Sequence, residues 1–333
     1  MRNANELRLE PVNPRSEREV VVSEAPVLQP LSVWWEAIQG HLEVYLLNGR
    51  SRGIIDTGAP GALLGDALQS LGRSVDDVAL VLNTHAHADH TGGNAAFKTK
   101  GVTEFLIHRE DAPYAEDPGK SFDYFFAPLV RLLRGEEAAA AERADYVAAL
   151  GGGFMADRLL EDGDVIDLGG SLQLVVVHVP GHTPGSCGFY WGTEGILVLG
   201  DAVAGLGTPE GSLPLVYDMA AYQRSIDRVL GLPIKTLRTT HPYRAQGLAP
   251  ATVREGAEVR AYLESSRDLA ARLEEAFAAE AETALERAPA DVADAVIRRL
   301  PAKTGHSTLA GLPFPDFTLT TVMCGTGLWP ARS

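Results

Sequence analysis

Thr84-His85-Ala86-His87-Ala88-Asp89-His90 is the stretch on which the reading of this chain turns. Three imidazoles and a carboxylate fall within six residues, directly after the apolar run Val78-Ala79-Leu80-Val81-Leu82. A strand that ends in donor side chains is a scaffold for metal. Neutral imidazole and carboxylate are borderline-to-hard donors that suit Zn²⁺, Fe or Mn. A solvated polar loop would place four donors at ligand spacing with no task, and further donors follow downstream.

The chain has nine histidines. Two outside the cluster sit in sharply punctuated loops. His182 lies in Pro180-Gly181-His182-Thr183-Pro184-Gly185-Ser186, after the strand-like run from Leu172 to Val179, and His241 lies in Thr239-Thr240-His241-Pro242-Tyr243. Between them, Gly200-Asp201 ends the apolar run Ile196-Leu197-Val198-Leu199. Each candidate therefore stands at the end of a predicted strand or in the turn beyond it, where a rigid sheet can position it. His178 falls inside a strand pattern and reads as a packed or hydrogen-bonded core residue. His41, His108 and His306 have no partner in sequence and read as structural or surface residues.

In this order the signals resemble the metallo-β-lactamase-fold hydrolase superfamily. The resemblance rests on Asp56 in Ile54-Ile55-Asp56-Thr57-Gly58, on the His85 to His90 cluster, and on His182, Asp201 and His241. It implies an αβ/βα sandwich: two mixed β-sheets face each other, helices cover the outsides, and metals sit at one edge. It also implies two divalent metal ions, Zn²⁺ first, with Fe or Mn as alternatives. His85, His87 and His182 would hold one, Asp89, His90 and His241 the other, and Asp201 would bridge them. The lactamases that use a thiolate ligand have Cys near position 201, whereas Cys187 and Cys324 fall at no ligand position. The full HxHxDH with Asp201 looks instead like the hydroxyacylglutathione hydrolases, lactonases and related ester or thioester hydrolases. One departure is Ser186, where many of these relatives carry a second histidine that is usually not a ligand.

What the resemblance implies chemically is a dinuclear hydrolase of a small ester, lactone or thioester. Two ions about 3.5–4 Å apart can share one hydroxide, and coordination lowers the pKa of bound water to about 7. Asp89 is a candidate catalytic residue that can accept a proton from the nucleophile as well as bind metal. Asp56 is expected to orient a ligand histidine and fix its tautomer; the alternative is a turn-forming Asp before Thr57-Gly58. Other readings on the same fold are a mononuclear-iron oxidoreductase such as a sulfur dioxygenase, a β-lactam hydrolase, and a pseudoenzyme. Both ligand sets are complete in the sequence, which favours hydrolysis.

Composition sets outer bounds. The 333 residues suffice for one large core plus an appendage. A hydrophobic content of 45% with 22% charged residues is that of a soluble globular protein. The formal net charge of −15 argues against nucleic acid as partner or substrate. Two distant cysteines give no disulfide framework. The polar start of the chain shows no secretory signal, and no apolar run approaches the roughly 18 residues of a membrane span. The expectation is a cytoplasmic protein acting on a small molecule, with a homodimer as an option.

Along the chain, residues 1–18 read as an extension and 19–248 as the catalytic domain. Within it, strands fill 19–59 and a short helix runs from Ala62 to Leu71. A strand follows from Val102 to His108. Residues 109–158 read as a helical insertion, in which Phe122, Tyr124, Phe125 and Phe126 could wall a pocket or pack as core. The last strand is placed at 234–245. Residues 249–333 read as a mainly helical extension. Val259, Tyr262, Leu263, Leu269, Leu273 and Phe277 recur at helical spacing, a second helix follows Pro289, and an ordered apolar end holds Phe314, Phe317 and Trp329.

Overall fold

The computed structural model describes residues 27–35, 40–60, 63–98, 103–313 and 315–329. The expected extension at 1–18 lies outside the described residues, as do Ala62, Val102 and Phe314. Twelve strands form two six-stranded sheets. The first sheet holds β1 (Leu28–Trp35), β2 (Gly40–Asn48), β3 (Arg52–Ile55), β4 (Leu80–Leu82), β5 (Glu104–His108) and β6 (Arg158–Leu160), in that spatial order. Its first three strands are antiparallel, and β3 to β6 run parallel. The second sheet holds β7 (Val165–Asp167), β8 (Gln173–His178), β9 (Cys187–Trp191), β10 (Ile196–Val198), β11 (Thr236–Ala245) and β12 (Leu248–Glu255). Here only β10 and β11 pair in parallel. Both sheets are therefore mixed, as expected.

Side-chain alternation explains the layers. Tyr45 and Leu47 of β2 point inward with Ile55, Leu82 and Leu106, and meet Leu174, Val176, Phe189 and Val198 of the opposite sheet. Val44 and Leu46 point outward and pack with Leu64 and Leu68 of α1 (Leu64–Ser70) and with Phe97. The parallel strands are buried on both faces, which is why they read as continuous apolar runs.

After β4 the chain makes the short helices α2 (Ala88–Thr91) and α3 (Ala95–Lys98). The insertion is helical, as expected: α4 (Ala112–Glu116), α5 (Pro118–Phe125) and α6 (Ala127–Leu150). Asp117 caps α5, accepting from the backbone N–H groups of Gly119 and Lys120, with Pro118 in the first turn. The kink in α6 falls at Gly135, whose φ of +87° only glycine adopts readily. Helix α7 (Met219–Leu230) is capped by Asp218.

One boundary moves. The chain does not leave the sheet at residue 248 but turns back along β11 as β12, an edge strand. Pro250 gives the stretch the look of a linker, yet an edge strand tolerates proline. Buried Arg254 fixes the hairpin by donating to the carbonyls of Tyr243 and Ala249. The helical region starts with α8 (Ala257–Ala284) and continues through α9 (Pro289–Arg299) and α10 (Pro315–Thr326). The first half of α8 packs Val259, Tyr262 and Leu263 with Tyr222, Ile226 and Val229 of α7 over the second sheet. Its second half joins Val292, Val296, Leu319 and Val322 in a separate helical core. Phe317 lies in α10, within the expected ordered end, but it is 36% exposed and lines a cleft.

Candidate metal centre

The donors gather where strands end. The loop after β4 carries His85 to His90, the turn after β8 carries His182, and the turn after β10 carries Asp201. Gly200, at φ +54°, allows that last turn: a Cβ there would lie 2.4 Å from Thr84 Oγ1. His241 is not in a loop beyond the strand but within β11, at a bulge. Pairing jumps from Arg238 opposite Val253 to Tyr243 opposite Ala251. Pro242 has no N–H to donate, and a bulge re-aims the side chain beside it.

Two donor groups result. His85, His87 and His182 form one; Asp89, His90, Asp201 and His241 form the other; within each, the donor atoms lie within 4.8 Å of one another. The hydrogen bonds behind them set their tautomers. Asp56 takes up the left-handed backbone at φ +57°, uncommon for a residue with a side chain. Its Oδ1 accepts the Thr84 N–H at 2.8 Å, and its Oδ2 accepts from Thr84 Oγ1 and from His90 Nδ1, each at 2.8 Å. Both oxygens are occupied by protein donors, so Asp56 holds His90 with Nε2 toward the centre. Because the Thr84 hydroxyl proton goes to Asp56, Thr84 Oγ1 accepts from His85 Nδ1 at 3.1 Å. His182 Nδ1 donates to the Leu215 carbonyl at 2.8 Å. Both rings are thereby left with a lone pair on Nε2, and those two atoms face each other at 3.1 Å. Two lone pairs at this distance repel; a cation between them reconciles the geometry.

Three more atoms point the same way. His87 Nε2, His90 Nε2 and Asp201 Oδ1 are buried and have no hydrogen-bond partner among the described residues. Buried polar atoms are nearly always paired, so several orphans in one place fit ligation. In the second group His241 Nε2 lies 3.0 Å from Asp89 Oδ2. Asp201 Oδ2 lies 3.4 Å from both His90 Nε2 and His241 Nε2. Burial, then the neighbouring histidines, pushes the pKa of His85 and of His87 well below the ordinary value, which keeps both rings neutral and able to ligate. Burial would raise Asp89 and Asp201, but His90 and His241 outweigh it and hold both carboxylates ionised. In the second group burial would lower His90 and His241, but Asp89, Asp201 and, for His90, Asp56 outweigh it and raise both, so a divalent cation binding there would displace protons from these two rings, whereas the first group offers neutral imidazoles as it stands.

One functional residue had no signal in the sequence. Asp111 is fully buried just beyond β5. Its Oδ2 accepts from the Ala86 N–H at 2.9 Å and from Thr183 Oγ1 at 2.8 Å, and its Oδ1 accepts from the Gly185 N–H at 2.6 Å. It thus ties the HxHxDH loop to the His182 turn. Burial pushes its carboxyl up to about 6, against these three donors. Within Arg109-Glu110-Asp111 it looks like part of a solvated charge run. Ser186, the departure from the relatives' pattern, closes the His182 turn by bonding the Thr183 N–H and hydroxyl at 3.0 and 2.7 Å.

The other histidines are structural. His178 stacks on buried His108 with centroids 3.9 Å apart and bonds the Pro184 carbonyl. His41 packs edge-on to Trp34. His306 bonds the Leu206 carbonyl and Thr304.

Residues 43–241 match the family described as the metallo-beta-lactamase superfamily, more than half of the chain, and the chain belongs to that family. Among curated proteins it is 32% identical to a probable metallo-hydrolase of Burkholderia pseudomallei over 51% of this chain and 53% of that one. It is 30% identical to a hydroxyacylglutathione hydrolase of Hyphomonas neptunium over 50% and 48%. It is 32% identical to an acyl-coenzyme A thioesterase of Gallus gallus over 48% and 57%. The chain thus spans about half the length of these relatives. Among solved structures, a metallo-beta-lactamase family protein of Thermus thermophilus superposes with a TM-score of 0.62 at 22% identity, covering 90% of this chain and 92% of that one. That likeness is one of fold. Among the described residues no helix is long and apolar enough to cross a membrane.

Proposed function

We propose that this chain is a dinuclear metal-dependent hydrolase that cleaves a small ester, lactone or thioester, with Zn²⁺ as the first choice of metal. The observation that carries the reading is the trio of buried, unpartnered donors, His87 Nε2, His90 Nε2 and Asp201 Oδ1, between two convergent ligand groups. The hydroxyacylglutathione hydrolase and the acyl-coenzyme A thioesterase among its relatives support an acyl-transfer reaction.

In this reading His85, His87 and His182 hold one cation and Asp89, His90 and His241 the other. Asp201 faces His90 and His241 through Oδ2, and its buried Oδ1 has no hydrogen-bond partner among the described residues, so it would be the carboxylate shared by the two cations. Two divalent cations held there would supply Lewis acidity, which lowers the pKa of water and polarises a carbonyl. The chain's own groups do the rest. Asp56 and Thr84 fix the directions of His90 and His85. The Asp89 side chain is 20% exposed and its Oδ2 lies 3.0 Å from His241 Nε2, a position from which it can pass a proton between the centre and solvent. The catalytic unit in this reading runs to the end of β12.

The test is a hydrolysis panel on the zinc-loaded protein: lactones, aryl esters, thioesters, β-lactams and phosphodiesters. Turnover of at least one of the first three, abolished by a chelator and restored by metal, is expected. Turnover confined to β-lactams or phosphodiesters would contradict the substrate class, and no metal-dependent turnover of any of them would contradict the reading as a whole.

A further inference from the structure

A cleft of about 470 Å³ opens beside the metal centre. That is within the range of small-ligand pockets, roughly 300–1,000 Å³. Its walls come from three separate parts of the chain: Phe122, Phe126 and Val130 from the insertion, Leu215 from the segment before α7, and Phe317 from α10. Two more lining rings, Phe125 and Tyr217, reach the metal centre. Phe125 lies edge-on to His87 with centroids 4.6 Å apart, Phe126 is 5.8 Å from the same ring, and Tyr217 is 6.1 Å from it. Tyr217 is held there by donating its hydroxyl proton to the Phe125 carbonyl at 2.9 Å. The apolar cleft is therefore continuous with a ligand histidine.

The cleft's charged residues are Arg134, Glu142, Asp145 and Asp316. Arg134 is paired with Glu142 at 2.7 Å. The guanidinium is thereby neutralised, and two exposed carboxylates, Asp145 and Asp316, remain at the rim. Among the described lining residues one guanidinium stands against three carboxylates, so an anion entering the cleft would meet net like charge, and like-charge juxtaposition costs affinity.

We infer that this cleft is the specificity pocket of the enzyme and that it takes an apolar, preferably aromatic, group carrying no negative charge, with neutral and cationic groups accepted. The inference deepens the proposed function and rests on it for the statement that the group belongs to a substrate. Such a group lying against Phe125 and Tyr217 brings the bond attached to it to the His87 side of the metal centre. Anionic carriers are disfavoured in the cleft.

The experiment measures binding first, on the metal-free full-length chain, so that it does not depend on hydrolysis. Three ligands of one shape are titrated by calorimetry: 4-phenylbutanamide, 4-phenylbutylammonium and 4-phenylbutyrate. The amide and the ammonium should bind at least tenfold more tightly than the carboxylate. Ala149→Trp, at an exposed lining position of α6, should block the cleft and remove binding of all three. Asp145→Lys with Asp316→Lys should reverse the preference in favour of the carboxylate. Both variants change exposed residues, so circular dichroism should show the native fold. With the metal-loaded protein, kcat/KM for neutral acyl esters of one leaving group should rise about threefold to fourfold per added methylene until the cleft is full. Equal affinity for the three ligands, binding unaffected by Ala149→Trp, or no binding of any of them would overturn the inference. Binding as described without hydrolysis of any ester would leave the cleft standing and remove the proposed function. Ester hydrolysis with no dependence on acyl length or on Ala149→Trp would do the reverse.

Discussion

The metal-facing loops and the cleft are neighbours, yet they are built on opposite plans. The loops hang from the ends of β4, β8 and β10 and from a bulge in β11, and hydrogen bonds behind the donors aim them: Asp56 behind His90, Thr84 behind His85, the Leu215 carbonyl behind His182. The cleft is lined by apolar side chains of α5, α6 and α10, outside the sandwich, together with Leu215 and Tyr217 from the segment before α7. Polar groups held by hydrogen bonds on a rigid sheet give fixed geometry; apolar helices laid over it give a shape that can vary without disturbing the donors. Chemistry and substrate choice are therefore expected to be separable by mutation.

The largest effect should come from the metal side. Asp201→Ala removes the carboxylate proposed to be shared by the two cations and should lower turnover on the order of a thousandfold while circular dichroism stays native. Near-normal turnover would rule out a central role for Asp201. On the cleft side, Phe122→Ala empties a buried aromatic site and should cost about 3 kcal/mol of stability in denaturant titration while metal content is unchanged. Loss of metal in that folded variant would show that the two regions are not independent. Asp56→Asn keeps the size but puts an amide where three donors converge, so metal affinity should fall about 10–100-fold by competition with a chelating dye; an unchanged affinity would mean that His90 needs no orienting partner.

The smallest expected effect is pH-dependent and lies behind the His182 turn, at His108. Burial, then the stacked His178, depresses His108 to about 4. A folded value below the ordinary one of about 6.5 means that protonation favours the unfolded chain. The stability His108 contributes is fully present above about pH 6.5 and is lost as the pH falls through about 4. Thermal melts of His108→Gln should therefore decline less steeply than wild type between pH 7 and 4, and equal slopes would contradict the assignment.

The same contrast explains what could be read from the sequence. Candidate metal donors occur in short, dense patterns at or near strand ends, so His85, His87, Asp89, His90, His182 and Asp201 could be named together with His241, which lies at a bulge within β11, and the structure brings them together in two groups that could hold metal. The sandwich was legible because buried parallel strands are continuous apolar runs. Asp111 was not: its partners lie 25, 72 and 74 residues away, and nothing local marks a carboxylate whose role is to accept bonds from two loops. The strand β12 was hidden by Pro250, a residue that marks loops more often than edge strands. The cleft was least legible, because its walls are common core residues. Phe122 and Phe317 are 195 positions apart and meet only through the fold.

Metal stoichiometry bears most directly on the central claim, that two adjoining cation sites share Asp201. Elemental analysis of the gently purified protein, and of protein dialysed against excess Zn²⁺, should give about two equivalents of metal per chain, falling to about one in His241→Ala. A reproducible single equivalent in the wild-type protein, even in excess metal, would contradict the account.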